Sequence, residues 1–264
     1  MIREMMDLVM PRECLVCGRQ LGVQEEHLCI WCAADLPCTW YWERRHNPMA
    51  DHFNALLERF RADGEPQQYA YAAALLFYHH ENPYKRIPQA LKYGFNLSAG
   101  RFFAARLGAF LASAHHFSDV DTVVPVPLHR WRKWRRGYNQ AEVIAAELAR
   151  ALHAGFKADA LVRVRRTRSQ TRLDAEARLK NTTGVFRFRS AAFPSGPAFP
   201  GDIGQSPPPG LAQAQTFGSL PRHILLVDDT FTTGATLCAC YHALRQALGP
   251  SVRISVATLA VVEA

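Results

Sequence analysis

The sequence predicts an α/β protein: a mostly parallel sheet flanked by helices, with a small metal-binding module at its N-terminus. Three observations carry that prediction. Apolar runs of strand length alternate with longer stretches of helical periodicity along the 264-residue chain. The clearest strands, at 223–227 and 252–262, are apolar at nearly every position, as strands buried on both faces are. Five of the seven cysteines, Cys14, Cys17, Cys29, Cys32 and Cys38, fall within the first forty residues.

Residues 1–45 are rich in Cys and punctuated by Pro11, Gly18, Gly22 and Pro37. Such a segment is too short to fold around a core without a staple. Cys14-Leu15-Val16-Cys17 and Cys29-Ile30-Trp31-Cys32 form two C-x2-C pairs. Two knuckles at this spacing supply four thiolates for a tetrahedral, structural Zn²⁺ site with no open position for catalysis. Cys38 stands outside that set, and Cys238 and Cys240 read as core thiols. Residues 46–69 are a polar connector, with a short helix expected at 51–61, and 70–264 form the main domain.

In the main domain the pattern predicts strands at 69–78 and 121–126 with a helix at 99–112 between them. Asn139 caps a helix running to Ala151, and a brief strand follows at 161–164. A short helix at 174–179 and a strand at 184–188 come next. Residues 190–222 hold seven prolines among Ser, Gly, Gln and Ala, a composition that predicts a flexible insertion. The strand at 223–227, a helix at 235–248 and the strand at 252–262 then make a βαβ unit.

Charge and hydropathy narrow the class. The longest apolar stretch, Ala70 to Tyr78, is about nine residues against the ~20 of a membrane-spanning helix. Met1 to Asp7 lack the basic-then-apolar order of a secretion signal, so a cytoplasmic protein without membrane insertion is expected. The net charge of +8, with arginines clustered at 130–136 and 163–172, favours phosphate-bearing partners. Arg130, Arg132, Lys133, Arg135 and Arg136, interleaved with Trp131, Trp134 and Tyr138, suit the backbone charge and the bases of a single strand, and the same aromatics equally suit packing under the loop.

The densest chemistry lies at Asp228-Asp229-Thr230-Phe231-Thr232-Thr233-Gly234-Ala235-Thr236. A buried strand ends in two carboxylates, and a hydroxyl-rich turn with one glycine opens a helix. Backbone N–H groups at a helix start, with the Thr230, Thr232, Thr233 and Thr236 hydroxyls and the positive dipole end, make a phosphate cradle. Adjacent carboxylates suit the 2- and 3-hydroxyls of a ribose.

This segment resembles the phosphoribosyl-pyrophosphate motif of type I phosphoribosyltransferases. Val124-Pro125-Val126-Pro127 with Arg135-Arg136-Gly137-Tyr138-Asn139-Gln140, and Arg166-Thr167-Arg168-Ser169-Gln170 with Arg178 and Asn181, resemble the ComF competence family. The resemblance spans the chain apart from 190–222. It implies a type I phosphoribosyltransferase-like fold and Mg²⁺-bound 5-phosphoribosyl-1-pyrophosphate (PRPP). Asp228 and Asp229 would hold the ribose, and Thr232 to Thr236, with Gly234 and Ala235, the 5-phosphate. Arg136 would meet the pyrophosphate, and Arg166, Gln170 and Arg178 a mobile flap. Lys92, in Leu91-Lys92-Tyr93-Gly94, also matches a family position, although a lysine near a helix end is more often a solvated charge. The implied activity is phosphoribosyl transfer to an acceptor the sequence does not identify. The family's other implied role is handling incoming single-stranded DNA beside a competence helicase.

Overall fold

The computed structural model describes residues 11–59, 68–79, 81–93, 96–128, 137–164, 184–192 and 220–262. The expected helix at 174–179, the Arg130–Arg136 run, the flap residues Arg166, Gln170 and Arg178, and positions 193–219 of the insertion lie outside the described residues.

Strands β1 (Ala72–Tyr78), β2 (Thr122–Pro125), β3 (Gly155–Phe156), β6 (His223–Phe231) and β7 (Arg253–Val262) form one sheet in the order β1-β7-β6-β2-β3. Every pairing in it is parallel. β4 (Leu161–Arg163) and β5 (Phe186–Phe188) make a separate antiparallel ladder. Six helices are described: α1 (Ile30–Ala34), α2 (Pro48–Arg59), α3 (Arg86–Tyr93), α4 (Leu97–Ser113), α5 (Gln140–Ala151) and α6 (Ala235–Leu248).

Successive residues of a strand point to opposite faces, and the two faces carry separate cores. On one, Ile224, Leu226, Ile254 and Val256 meet Phe53 and Leu57 of α2 and Leu237, Tyr241 and Leu244 of α6. On the other, Leu225, Val227, Ala257 and Leu259 meet Phe103, Leu107 and Leu111 of α4 and Ile144 and Leu148 of α5. Gly108 lets α4 and α5 approach closely, because a Cβ there would lie 2.6 Å from the Ala151 methyl.

The N-terminal segment shares the second core. Cys14, Val16, Leu21, Leu28, Cys29, Leu36 and Trp42 pack in one cluster with Leu75 and Phe103. Phe77 N donates to Pro37 O (3.0 Å) and Thr39 N to Leu75 O (3.2 Å), which covers the outer edge of β1. Tyr84 donates to Cys32 O (3.0 Å) and the Arg86 guanidinium to Val16 O (3.0 Å).

Three elements differ from the sequence expectation. The connector holds a 12-residue helix beginning at Pro48, capped by Asn47, whose side chain accepts from Ala50 N at 2.9 Å. Its Met49, Phe53 and Leu57 are buried, so it is a layer of the core. Helix α3 was given no range among the expected elements, although Lys92 reads as lying near a helix end; its Pro88 stands in the first turn, where a missing amide costs little. β6 runs past Val227 to Phe231, because β7 stays paired with it through Asp228↔Thr258, Thr230↔Ala260 and Phe231↔Val261. The two acids are therefore strand residues, and the turn is confined to 232–234.

Candidate functional site

The connections out of β2 and β6 run in opposite directions across the sheet. β2 leads through α5 to β3 on one side, and β6 leads through α6 to β7 on the other. A parallel α/β sheet opens a crevice beyond the strand C-termini at such a reversal. Between these two strands that end carries Asp228, Asp229 and Thr230 on β6 and Val126 and Pro127 after β2.

Both walls are pinned. Val126 N donates to Val227 O at 2.8 Å. The Asn139 amide donates to Val126 O (3.0 Å) while its oxygen accepts from Ala141 N (3.2 Å), so one side chain caps α5 and ties it to the end of β2.

The turn after β6 needs its glycine. Gly234 is the N-cap of α6 with φ +70°, and a Cβ there would fall 2.9 Å from Leu56 Cδ1 and Phe231 Cζ. Left-handed backbone and lack of room both exclude a side chain. Gly234 has no side chain with which to cap the helix, so the first turn of α6 starts without a side-chain N-cap. The first-turn N–H groups of a helix lack intrahelical partners, and the positive dipole end of α6 lies at this turn.

The acids are electrostatically coupled. Burial and the adjacent Asp229 carboxylate push Asp228 up to about 7, against the pull of the Asp229 N–H and of Lys92 and Arg163. That N–H donates to Asp228 Oδ1 at 2.8 Å. Lys92 Nζ lies 3.3 Å from Asp229 Oδ1 and donates to Thr230 Oγ1 at 3.1 Å. Helix α3 brings it there, with the Leu91 carbonyl accepting from the Tyr138 hydroxyl and, at 3.4 Å, from Gln140 Nε2. The expectation of a solvated helix-end charge gives way to a lysine bound to the acid–threonine segment. Its signal in the sequence was only a family position, because nothing local joins residues 92 and 229. Arg163, on β4, is a further cation acting on Asp228 that the spacing gave no reason to single out.

The four cysteines converge. The Sγ atoms of Cys14, Cys17, Cys29 and Cys32 all lie within 4.8 Å of one another, and Cys17 and Cys29 are 3.7 Å apart. Zn–S bonds of about 2.3 Å in a regular tetrahedron give S···S edges of about 3.8 Å, so the set could hold a metal such as zinc. Burial raises the Cys14 thiol, but the N–H groups of Cys17, Cys29 and Val16 and the Cys17 thiol outweigh it and bring Cys14 down to about 7. A thiol so poised is a ready thiolate ligand. Cys38 stands apart, bridged to Leu76, and Cys238 and Cys240 are fully buried on α6.

No helix among the described residues is long and apolar enough to cross a membrane. No protein-family model matches the chain. The chain is similar to competence protein F of Haemophilus influenzae, at 25% identity over 240 residues, 88% of this chain and 90% of that protein. It is also similar to the DNA utilization protein YhgH of Escherichia coli, at 32% identity over 117 residues, 44% of this chain and 40% of that protein. The Salmonella typhimurium protein of the same name matches over the same lengths at the same identity.

Proposed function

We propose, for a chain that belongs to the ComF competence family, that the crevice beyond β6 binds PRPP with Mg²⁺ and supports phosphoribosyl transfer to an acceptor. The observation that carries the reading is the position of the acid–threonine segment. Two carboxylates, a tight glycine turn and an uncapped helix start stand together at the reversal of the sheet. Each part has a task. Asp228 and Asp229 hold the ribose 2- and 3-hydroxyls, and Thr232, Thr233, Thr236 and the amides of Gly234 and Ala235 hold the 5-phosphate. Lys92, already beside Asp229, balances the acids while the ligand is absent and lies near the pyrophosphate side when it is present. Arg136, Arg166, Gln170 and Arg178 complete the set as pyrophosphate and flap residues.

Transfer of this kind needs no activated nucleophile on the protein, only positioning and charge stabilisation at C1. The donors present fit Mg²⁺, which takes hard oxygen ligands from one or two carboxylates together with phosphate oxygens. Bound there, the ion would neutralise the pyrophosphate as it leaves. The four-thiol cluster is read as a structural zinc site.

A second reading concerns the cellular role and is compatible with the first. The relatives are named for competence and DNA utilization, which favours a role in DNA uptake, with single-stranded DNA and a competence helicase as partners.

Calorimetric titration of PRPP with Mg²⁺, against a ribose 5-phosphate control, tests the first reading. Wild type should bind in a magnesium-dependent way, and Asp228→Asn/Asp229→Asn should abolish it. Absence of binding to wild type would overturn the ligand assignment and leave DNA handling as the leading role.

A further inference from the structure

A second surface stands apart from the crevice, where the N-terminal segment meets α4. Trp40 is one of two residues other than glycine with positive φ among those described, at φ 58° and ψ 21°. A bulky aromatic seldom adopts left-handed backbone, and such strain persists only where the surroundings enforce it. Here the enforcement is visible. Trp42 is buried and stacks on Phe110 of α4, with centroids 4.5 Å apart and planes 4° from parallel. Trp40 rests against both, 5.4 Å from Trp42 and 6.0 Å from Phe110. Trp42 does the packing, while Trp40 stays 48% exposed, a ring fixed in place with one side open to water.

The same helix leads from this ring to an open groove of about 650 Å³ between the N-terminal segment, α4 and α5. Its charged lining is Arg101, Arg106, Arg150, Glu26 and Glu147. Glu147 is taken by Arg150, whose Nε donates to it at 3.0 Å. Arg101 and Arg106 have no carboxylate within salt-bridge distance among the described residues. Arg106 precedes Phe110 by one helical turn, and its charge reaches Cys38, two residues before Trp40. From Arg101 to Phe110 the helix rises about 14 Å. No residue of the acid–threonine segment lines the groove.

We propose that the groove and the Trp40 ring form one binding surface for single-stranded nucleic acid, separate from the crevice. Phosphates meet Arg101 and Arg106, and an unpaired base stacks on the open face of Trp40, a pairing of charge and aromatic surface that duplex, with its bases already stacked, cannot use. The inference does not rest on the PRPP reading.

The test is fluorescence anisotropy of fluorescein-labelled oligo(dT) titrated with the zinc-loaded full chain over a series of salt concentrations. Trp40→Gly suits the backbone, because glycine adopts left-handed φ freely, and removes only the ring. It should weaken binding about tenfold, with Trp40→Phe retaining most of the affinity. Arg101→Ala/Arg106→Ala should lower the slope of log K against log salt by about 1.4, two released counterions on a single strand. Asp228→Asn/Asp229→Asn should bind as wild type, and a duplex of equal length should bind more weakly. Thermal melting of each variant separates lost binding from lost fold. The proposal is overturned if Trp40→Gly and Arg101→Ala/Arg106→Ala, both folded, bind oligo(dT) like wild type. It is equally overturned if wild type does not bind, or if Arg132→Ala/Arg135→Ala/Arg136→Ala alone removes all binding.

Discussion

The four-thiol cluster and the acid–threonine crevice are both announced by short sequence segments, yet opposite means hold them together. In the cluster the geometry is local: Cys14 N donates to Arg19 O (2.8 Å), Gly18 N to Cys14 O (2.9 Å) and Ala33 N to Cys29 O (2.9 Å), so each knuckle is folded by its own turn. The crevice has no such autonomy. Its acids are held by pairing with β7, its glycine is wedged between Leu56 and Phe231, and its lysine comes from α3. A site with its own staple can be read from spacing. One assembled by a sheet declares only the residues that happen to be contiguous.

The strongest way to break this comparison is to remove the staple. Cys14→Ser/Cys17→Ser, or chelation of the wild type, should cost on the order of 5 kcal/mol or more, because metal binding to such a site is largely folding energy. Zinc content and the melting curve check it. The cluster shares its core with Leu75 and Phe103, so the loss should reach the sheet rather than stay local. A metal-free chain with unchanged melting would mean that packing alone holds residues 11–45.

Next in size is the wedge. Gly234→Ala introduces a methyl into left-handed backbone with no room for it, an expected loss of about 2–4 kcal/mol in denaturant unfolding. Gly18→Ala shares the left-handed backbone (φ +73°) but has open space around its Cβ, and should lose about 1–2 kcal/mol. Equal losses would show that the close contact at Gly234 contributes nothing.

The acids give a smaller, pH-dependent effect. Asp228 is raised from its ordinary range near 3.8 to about 7, so its contribution to stability is fully present below the unfolded value and is lost as pH rises through about 7. Asp228→Asn removes that loss. The variant should match wild type near pH 4 and exceed it near pH 8 by about 1–3 kcal/mol, read from urea midpoints at the two pH values. A gain equal at both would place its cause in packing rather than charge.

What was legible follows the same division. The helices at 140–151 and 235–248 lie where periodicity and the Asn139 cap put them, and the strand at 72–78 is within three residues of expectation at each end. These elements are long, and their apolar period is unambiguous. The two C-x2-C pairs gave all four thiols of the cluster. Helix α3 was hidden because Pro88 looks like a breaker unless the helix start is known. The strand character of Asp228 and Asp229 was hidden because it depends on how far β7 continues beside them. Lys92 was visible as a residue but not as a partner, since it lies 136 positions before Asp228 and the docking of α3 on Tyr138 and Gln140 closes the gap.

That lysine supplies the finest test of how the crevice is held. Lys92→Met keeps the length and apolar stem of the side chain and deletes the charge 3.3 Å from Asp229. The pair is half-buried and one partner remains, so stability should fall by about 0.5–1.5 kcal/mol at pH 8. The Lys92 charge also pulls the Asp228 value down, so its removal should move the Asp228 titration further up, a shift that carboxyl NMR reads directly. The two effects separate the roles a lysine could play here. A lysine that merely packs would leave the titration in place and change stability alike at every pH. A counter-ion to the acids moves both together, and Asp229→Asn in the Lys92→Met background then restores most of the stability, because the charge left without a partner has been removed as well.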